Sequence, residues 1–303
     1  MIARATAQGL LAARRNRRLA VTLWLFNLAL ALAAGVPGWW ALSDAIGLLP
    51  AADSLADAFS FGVLADLAEL RPGLVSGLRD AAVAIFTLGL LVGLVATGGT
   101  LEVLMSDDER SFAHRFGRGA FRFFGRFLRL GAVTVLLCGL VAGLVAGPLF
   151  ALSRYARRES GSEWLAHALL FAALAAGGLV VLLALLVQDA ARVRIVREDA
   201  RRVLPVLRAT AVLVLRHPAK WLGTWALNGA LLLLVFGAYV ALVPALSARA
   251  WLPLLIVVQQ LFVLLRCALR VALLGAEVAL VSVLQPLPQP RPQPVVELPP
   301  EPA

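Results

Sequence analysis

From Leu128 to Leu152 the chain reads LRLGAVTVLLCGLVAGLVAGPLFAL, 25 residues whose only charge is Arg129. At 1.5 Å per residue a helix of this length covers about 37 Å, enough to cross a hydrocarbon layer of about 30 Å. The apolar residues run continuously instead of alternating. In lipid only a helix or a closed barrel satisfies the backbone, so the stretch reads as a transmembrane helix. Five more stretches have the same character, at about 19–42, 78–98, 164–188, 221–246 and 251–283. The expected fold is therefore all-α: a polytopic membrane bundle of six transmembrane helices with amphipathic surface helices, occupying residues 1–283. Residues 284–303 carry proline at every second position from Pro286 to Pro294 and read as a disordered proline-rich cytoplasmic tail. Such a tail serves either as a spacer or as a ligand for an aromatic groove.

Composition agrees. Of the 303 residues 61% are hydrophobic and 15% charged, with a mean hydropathy of +0.86. A soluble domain carries about 25% charged residues. The net charge of +10 comes from arginines and the single lysine Lys220. Because the arginines flank apolar spans and no nucleic-acid-binding motif is present, the charge points to lipid headgroups and topology, not to nucleic acid. Cys138 and Cys267 fall inside spans without metal or disulfide spacing.

With the N-terminus inside, 20 of the 28 Lys and Arg residues lie on the inner side, and the C-terminus is cytoplasmic as well. The discordant group is Arg154, Arg157 and Arg158. Trp39, Trp40, Trp164 and Trp251 then sit at outer span ends, as an aromatic belt requires. The first apolar run continues to Leu42, too long for the core of a cleaved signal peptide.

Each outgoing span follows a basic segment: Arg14–Arg18, Phe121–Arg129 and Leu215–Trp221, with Thr22, Thr134 and Thr224 at similar offsets. These segments either form surface helices that open three repeated hairpins, or reflect what any inside-to-outside span looks like. The acidic segment Ser43–Gly77 carries Leu55, Phe59, Leu64, Leu67 and Leu70 at helical spacing and reads as an outer cap or lid.

Few polar residues enter the spans. At 100° per residue Gln259, Arg266, Arg270 and Glu277 fall within about 40° of one another, a polar stripe along the sixth span. Ionisable residues in a span are functional candidates. The alternative is that Arg266 and Arg270, roughly 22 and 28 Å below Trp251, snorkel to the inner surface. The segment from Gln188 to Asp199 reads as a solvated helical extension of the fourth span ending near Pro205, with Asp189–Arg192 and Glu198–Arg202 spaced for ion pairs. Asp189 and Arg192 are the candidate inner polar site. Gly139, Gly143 and Gly147, with Gly89 and Gly93, have the spacing that lets helix backbones pack closely, within the bundle or between copies.

Catalytic signatures are missing: there is no Gly-x-Ser-x-Gly, no Walker A, no His-Glu-x-x-His, and His114, His167 and His217 are scattered. The expectation is a chain that is no enzyme and carries no cofactor and no metal.

The segments Gln188–Asp199, Gly98–Leu104, Phe121–Leu130, Leu215–Pro218 and Gln259–Arg266 together resemble a group of uncharacterised bacterial six-span membrane proteins. More distantly they are similar to the membrane region of some glycerophosphodiester phosphodiesterases. The resemblance covers about residues 10–283. It brings no catalytic residues, because the phosphodiesterase domain has no counterpart here. It implies the bacterial cytoplasmic membrane and a link to lipid or envelope physiology. The function expected is a non-enzymatic membrane module organising lipid or partner proteins, with membrane lipids, a protein partner or a second copy as partners. The alternative is a small-molecule or lipid transporter.

Overall fold

In a computed structural model of the chain, residues 1–46, 69, 72–106, 110–160, 162–243 and 252–286 are described. Eight helices account for almost all of them: α1 (Ile2–Arg15), α2 (Arg17–Ile46), α3 (Pro72–Met105), α4 (Phe112–Tyr155), α5 (Glu163–Arg197), α6 (Val203–Arg216), α7 (Pro218–Leu242) and α8 (Leu252–Leu284). There is no strand among the described residues. Six of the helices, all but α1 and α6, are long and apolar enough to cross a membrane. The chain is a multi-pass membrane protein. Most of the predicted outer segment at 43–77, with Leu55, Phe59, Leu64, Leu67 and Leu70, lies outside the described residues, as does the tail beyond Pro286.

The basic segments behave in two ways. Asn16 (φ −108°, ψ 51°) and His217 (φ −133°, ψ 47°) leave helical geometry, so α1 and α6 are separate from the spans they precede. Asn16 donates its side-chain amide to the carbonyl of Ala12 at 3.0 Å, and Pro218 disfavours helical geometry at His217 while opening α7. The segment Phe121–Arg129 contains no such break. It is continuous with its span, in a 44-residue α4 that starts at the N-cap Ser111. At 1.5 Å per residue α4 measures about 66 Å, so its arginine-bearing first half extends past any hydrocarbon layer.

The breaks at Asn16 and His217 divide two of the predicted basic segments, but α1, the first half of α4 and α6 share one packing rule: each lies on the C-terminal half of a span, at the end of the bundle where the arginines gather. The start of α4 packs on α3, where Gly98 and Gly119 meet backbone to backbone. Helix α6 packs on α5, with Arg194 Nη1 donating to Thr210 Oγ1 at 3.2 Å. Helix α1 packs on α8 from the other end of the sequence; a side chain at Gly9 would run into the backbone of Ala272 and Ala276. Three hairpin units thus close into a ring, with the α1–α8 contact joining the first to the last.

Most of the core lies at this basic end. Leu101, Phe123, Phe127, Leu130, Leu186, Val193, Ile195, Val214, Trp221, Leu274 and Leu280 are buried together. Arg197 Nη1 donates to the carbonyl of Gln285 at 2.9 Å, tying the ends of α5 and α8. Toward the opposite end the spans expose apolar faces: Val135, Leu136, Leu144, Leu233 and Leu234 are largely uncovered. Ser153 Oγ, which donates to the carbonyl of Ala166 at 2.7 Å, is a buried exception there. Such bare faces suit hydrocarbon, which is as apolar as leucine.

Gly139, Gly143 and Gly147 do not pack inside the bundle, contrary to that expectation for the small-residue stripe. No neighbour lies within 4 Å of a side chain built there, and the same holds at Gly89 and Gly93. The close helix approaches use Gly9, Gly98, Gly99, Gly119 and Gly275 instead.

Candidate functional site

The extension of the fourth span is not solvated. Asp189, Ala190, Ala191, Val193, Arg194, Ile195 and Val196 are buried, and α5 ends at Arg197. Pro205 sits in the first turn of α6, not at the end of α5. The anticipated Glu198–Arg202 pair gives way to Arg194 Nε donating to Glu198 Oε1 at 2.9 Å, because the helix stops before Arg202 comes into register. Asp199 adopts the left-handed region at φ 47°, a conformation that Asp tolerates better than most residues.

Asp199 collects two guanidinium groups from α4, Arg122 Nη2 at 2.5 Å and Arg126 Nη1 at 2.7 Å. The Arg126 hydrogen bond, with the charges of both arginines, holds the Asp199 carboxyl below its ordinary value. This contact contributes fully at neutral pH and fades as pH falls through the ordinary Asp range toward the lower value of Asp199. The carboxylate is half exposed, so the energy is small. Asp199→Asn is expected to lower stability slightly at neutral pH and to match wild type at low pH, where the contact is already lost, so the acid limb flattens; thermal unfolding in detergent measures it.

The polar stripe of the sixth span divides by depth. Gln259 and Arg266 are exposed on the outside of the bundle, and Arg266 has no ion-pair partner among the described residues. Gln260, the neighbour of Gln259, is the residue that bridges helices, accepting the Trp24 indole N–H at 3.0 Å. Arg270 and Glu277 face inward.

There they join the other candidate pair. Asp189 Oδ1 accepts from Arg192 Nη1 at 2.7 Å, and Asp189 Oδ2 accepts from Arg270 Nη1 at 3.4 Å. Glu277 is wholly buried; its Oε1 accepts the Trp225 indole N–H at 2.9 Å, and its Oε2 has no hydrogen-bond partner among the described residues. Arg270 thus joins the Asp189–Arg192 pair, 81 residues from Asp189 in sequence, and ties α8 to α5, while Glu277, on the same helix, ties α8 to α7. Asp189 is shared between two cations, and its loss would leave the more buried of them, Arg192, without its carboxylate. Arg270 is 39% exposed along its side chain and keeps spare N–H donors, the chemistry of a phosphate or carboxylate contact.

The Glu102 ion pair, like those of Asp199, was not anticipated. Glu102, near the end of α3, receives Arg118 of α4 through Nε at 3.1 Å and Nη2 at 2.6 Å. An acid at the close of an apolar run, followed by an arginine-rich helix, was the available signal.

Among the described residues no three or more His, Cys, Asp or Glu side chains gather to hold a metal ion. Cys267 is buried, and Asn27 Nδ2 lies 3.6 Å from its sulfur. Comparison with protein-family models, with curated proteins and with solved structures gives no match to this chain.

Proposed function

We propose that the protein is a non-enzymatic membrane module that organises lipid or partner proteins around itself. One observation carries this reading. Most of the packed core lies at the basic end, while the spans beyond it offer long apolar faces with open small-residue stripes at Gly139, Gly143 and Gly147. A body built this way holds its own helices firmly at one side of the membrane and meets neighbours along the rest of its length. The basic end is the cytoplasmic one in this reading, with both termini inside and the bacterial cytoplasmic membrane as the setting.

A transporter is the second reading, and the Asp189–Arg192–Arg270–Glu277 network favours it. Ionisable groups buried among membrane-spanning helices are candidates for the route of a polar cargo. Native mass spectrometry of gently extracted protein separates the two, comparing wild type with an Arg266→Ala plus Arg270→Ala double variant. A module gives lipids or a protein that remain bound in both forms. A discrete small mass lost only in the double variant would favour the transporter and count against the module.

A further inference from the structure

We propose that the three basic segments form a continuous collar for anionic phospholipid headgroups, with one station on each hairpin unit. The segments are α1, the first half of α4 (residues 112–130) and α6. None of them contains an aspartate or a glutamate. Each sets exposed apolar side chains beside exposed arginines: Leu10 and Leu11 near Arg14 and Arg15, Phe121 beside Arg122 and Leu128 beside Arg129, Leu204 near Arg208, and Leu215 beside Arg216.

Two features make this more than a charged surface. First, the buried faces of the three segments are already used against α8, α3 and α5, so the opposite faces are the ones left for an outside partner. Those faces are mixed. Phe121 is 83% exposed, a poor arrangement in water and a good one at the boundary between headgroups and acyl chains. Second, the arginines divide by role. Arg118, Arg122 and Arg126 pair with Glu102 and Asp199. Arg14, Arg15, Arg129, Arg208 and Arg216 have no carboxylate partner among the described residues, and Arg208 lines a shallow apolar groove with Leu204, Pro205, Ala209 and Val212. Unpaired guanidinium groups beside apolar side chains match a phosphodiester above an acyl chain. Charge complementarity decides the occupant: an anionic headgroup gains from every unpaired arginine, whereas a zwitterionic one gains little.

This inference rests on the module reading and narrows its lipid arm. The test reconstitutes the full chain in vesicles of zwitterionic phosphatidylcholine with a minor share of anionic phosphatidylglycerol. Spin-labelled versions of each lipid then report the fraction held at the protein surface. Each arginine near an anionic surface favours the anion by roughly fivefold, so wild type is expected to hold the anionic lipid at least about fivefold more strongly. That preference should fall toward one in the Arg14→Gln, Arg15→Gln, Arg129→Gln, Arg208→Gln, Arg216→Gln variant. It should survive Arg154→Gln, Arg157→Gln, Arg158→Gln at the opposite end. Raising salt on wild type repeats the test without mutation and should weaken the preference.

Equal retention of both lipids, or a preference unchanged by the inner substitutions and by salt, would overturn the collar. Loss of the preference on adding inorganic phosphate, but not chloride at equal ionic strength, would also overturn it, in favour of a site for free phosphate. If the collar fails while lipids or a protein still remain bound in native mass spectrometry, the module reading stands alone. If a small mass appears there that the double variant loses, the module reading itself fails.

Discussion

Replacing Asp189 with alanine is expected to be the most damaging single change in the polar network. It removes the one acceptor between Arg192 and Arg270 and leaves Arg192, whose side chain is 13% exposed, as an uncompensated cation between α5 and α8. Breaking a buried pair from one side costs about 3–5 kcal/mol, far more than the pair contributes relative to an apolar replacement. Unfolding in mixed detergent measures the loss. Asp189→Asn keeps an acceptor and should cost less. Arg266→Ala should cost almost nothing, because that arginine is exposed without an ion-pair partner among the described residues. Glu277→Gln belongs near the mild end, since the amide oxygen still accepts from Trp225. If Asp189→Ala and Arg266→Ala behave alike, the network does not brace the bundle.

The second large effect is steric and lies 180 positions away. Gly9 touches α8 with its backbone; any side chain there meets the carbonyl of Ala272, and a Cβ added at Gly275 on the facing helix would lie 3.1 Å from Gly9 Cα. Gly9→Leu is expected to cost about 1–3 kcal/mol if the helices can shift apart. Where they cannot, α1 leaves its seat. Hydrogen exchange reads the difference, with backbone protection across Ile2–Arg15 falling by at least tenfold in the variant. Gly139→Leu is the control: it adds the same side chain to a helix with open space at that position and should leave exchange unchanged. Similar losses for both would mean that α1 is not held by this contact.

The two changes also mark the boundary of what could be read in advance. The six spans were legible because lipid imposes length and continuous apolarity on any segment that crosses it, and the runs at 128–152 and 164–188 carry both in full. Helix α1 was not, beyond its last arginines. Its buried face is Ala5, Thr6 and Gly9, too small and too mixed to stand out as a hydrophobic stripe, and its partner is at the other end of the chain.

The candidate site was half legible for a related reason. A helical wheel aligns Gln259, Arg266, Arg270 and Glu277 correctly but contains no neighbour. Asp189 on α5 reaches Arg270, two turns before Glu277, whereas the upper half of the stripe faces outward. For packing within the bundle the glycine spacing misled in the opposite direction. Gly139, Gly143 and Gly147 have the pattern of a packed face and an open one in fact, whereas Gly98 and Gly119 lie in no such repeat and bring two backbones together. Spacing states what a face permits; the partner decides whether it is used.

Water access along α8 tests the central claim most directly. On a background of Cys138→Ala and Cys267→Ala, single cysteines are introduced at Gln259, Val263, Arg266, Arg270 and Glu277, and the reconstituted protein is treated with a water-soluble, membrane-impermeant thiol reagent from each side in turn. A membrane module leaves 259 and 263 unlabelled, since Gln259 lies on the outside of the bundle among lipid, and leaves 277 unlabelled in its buried contact with Trp225. A continuous file of labelled positions from 259 to 277 would contradict it, because that is a wet path through the protein and the signature of a transporter.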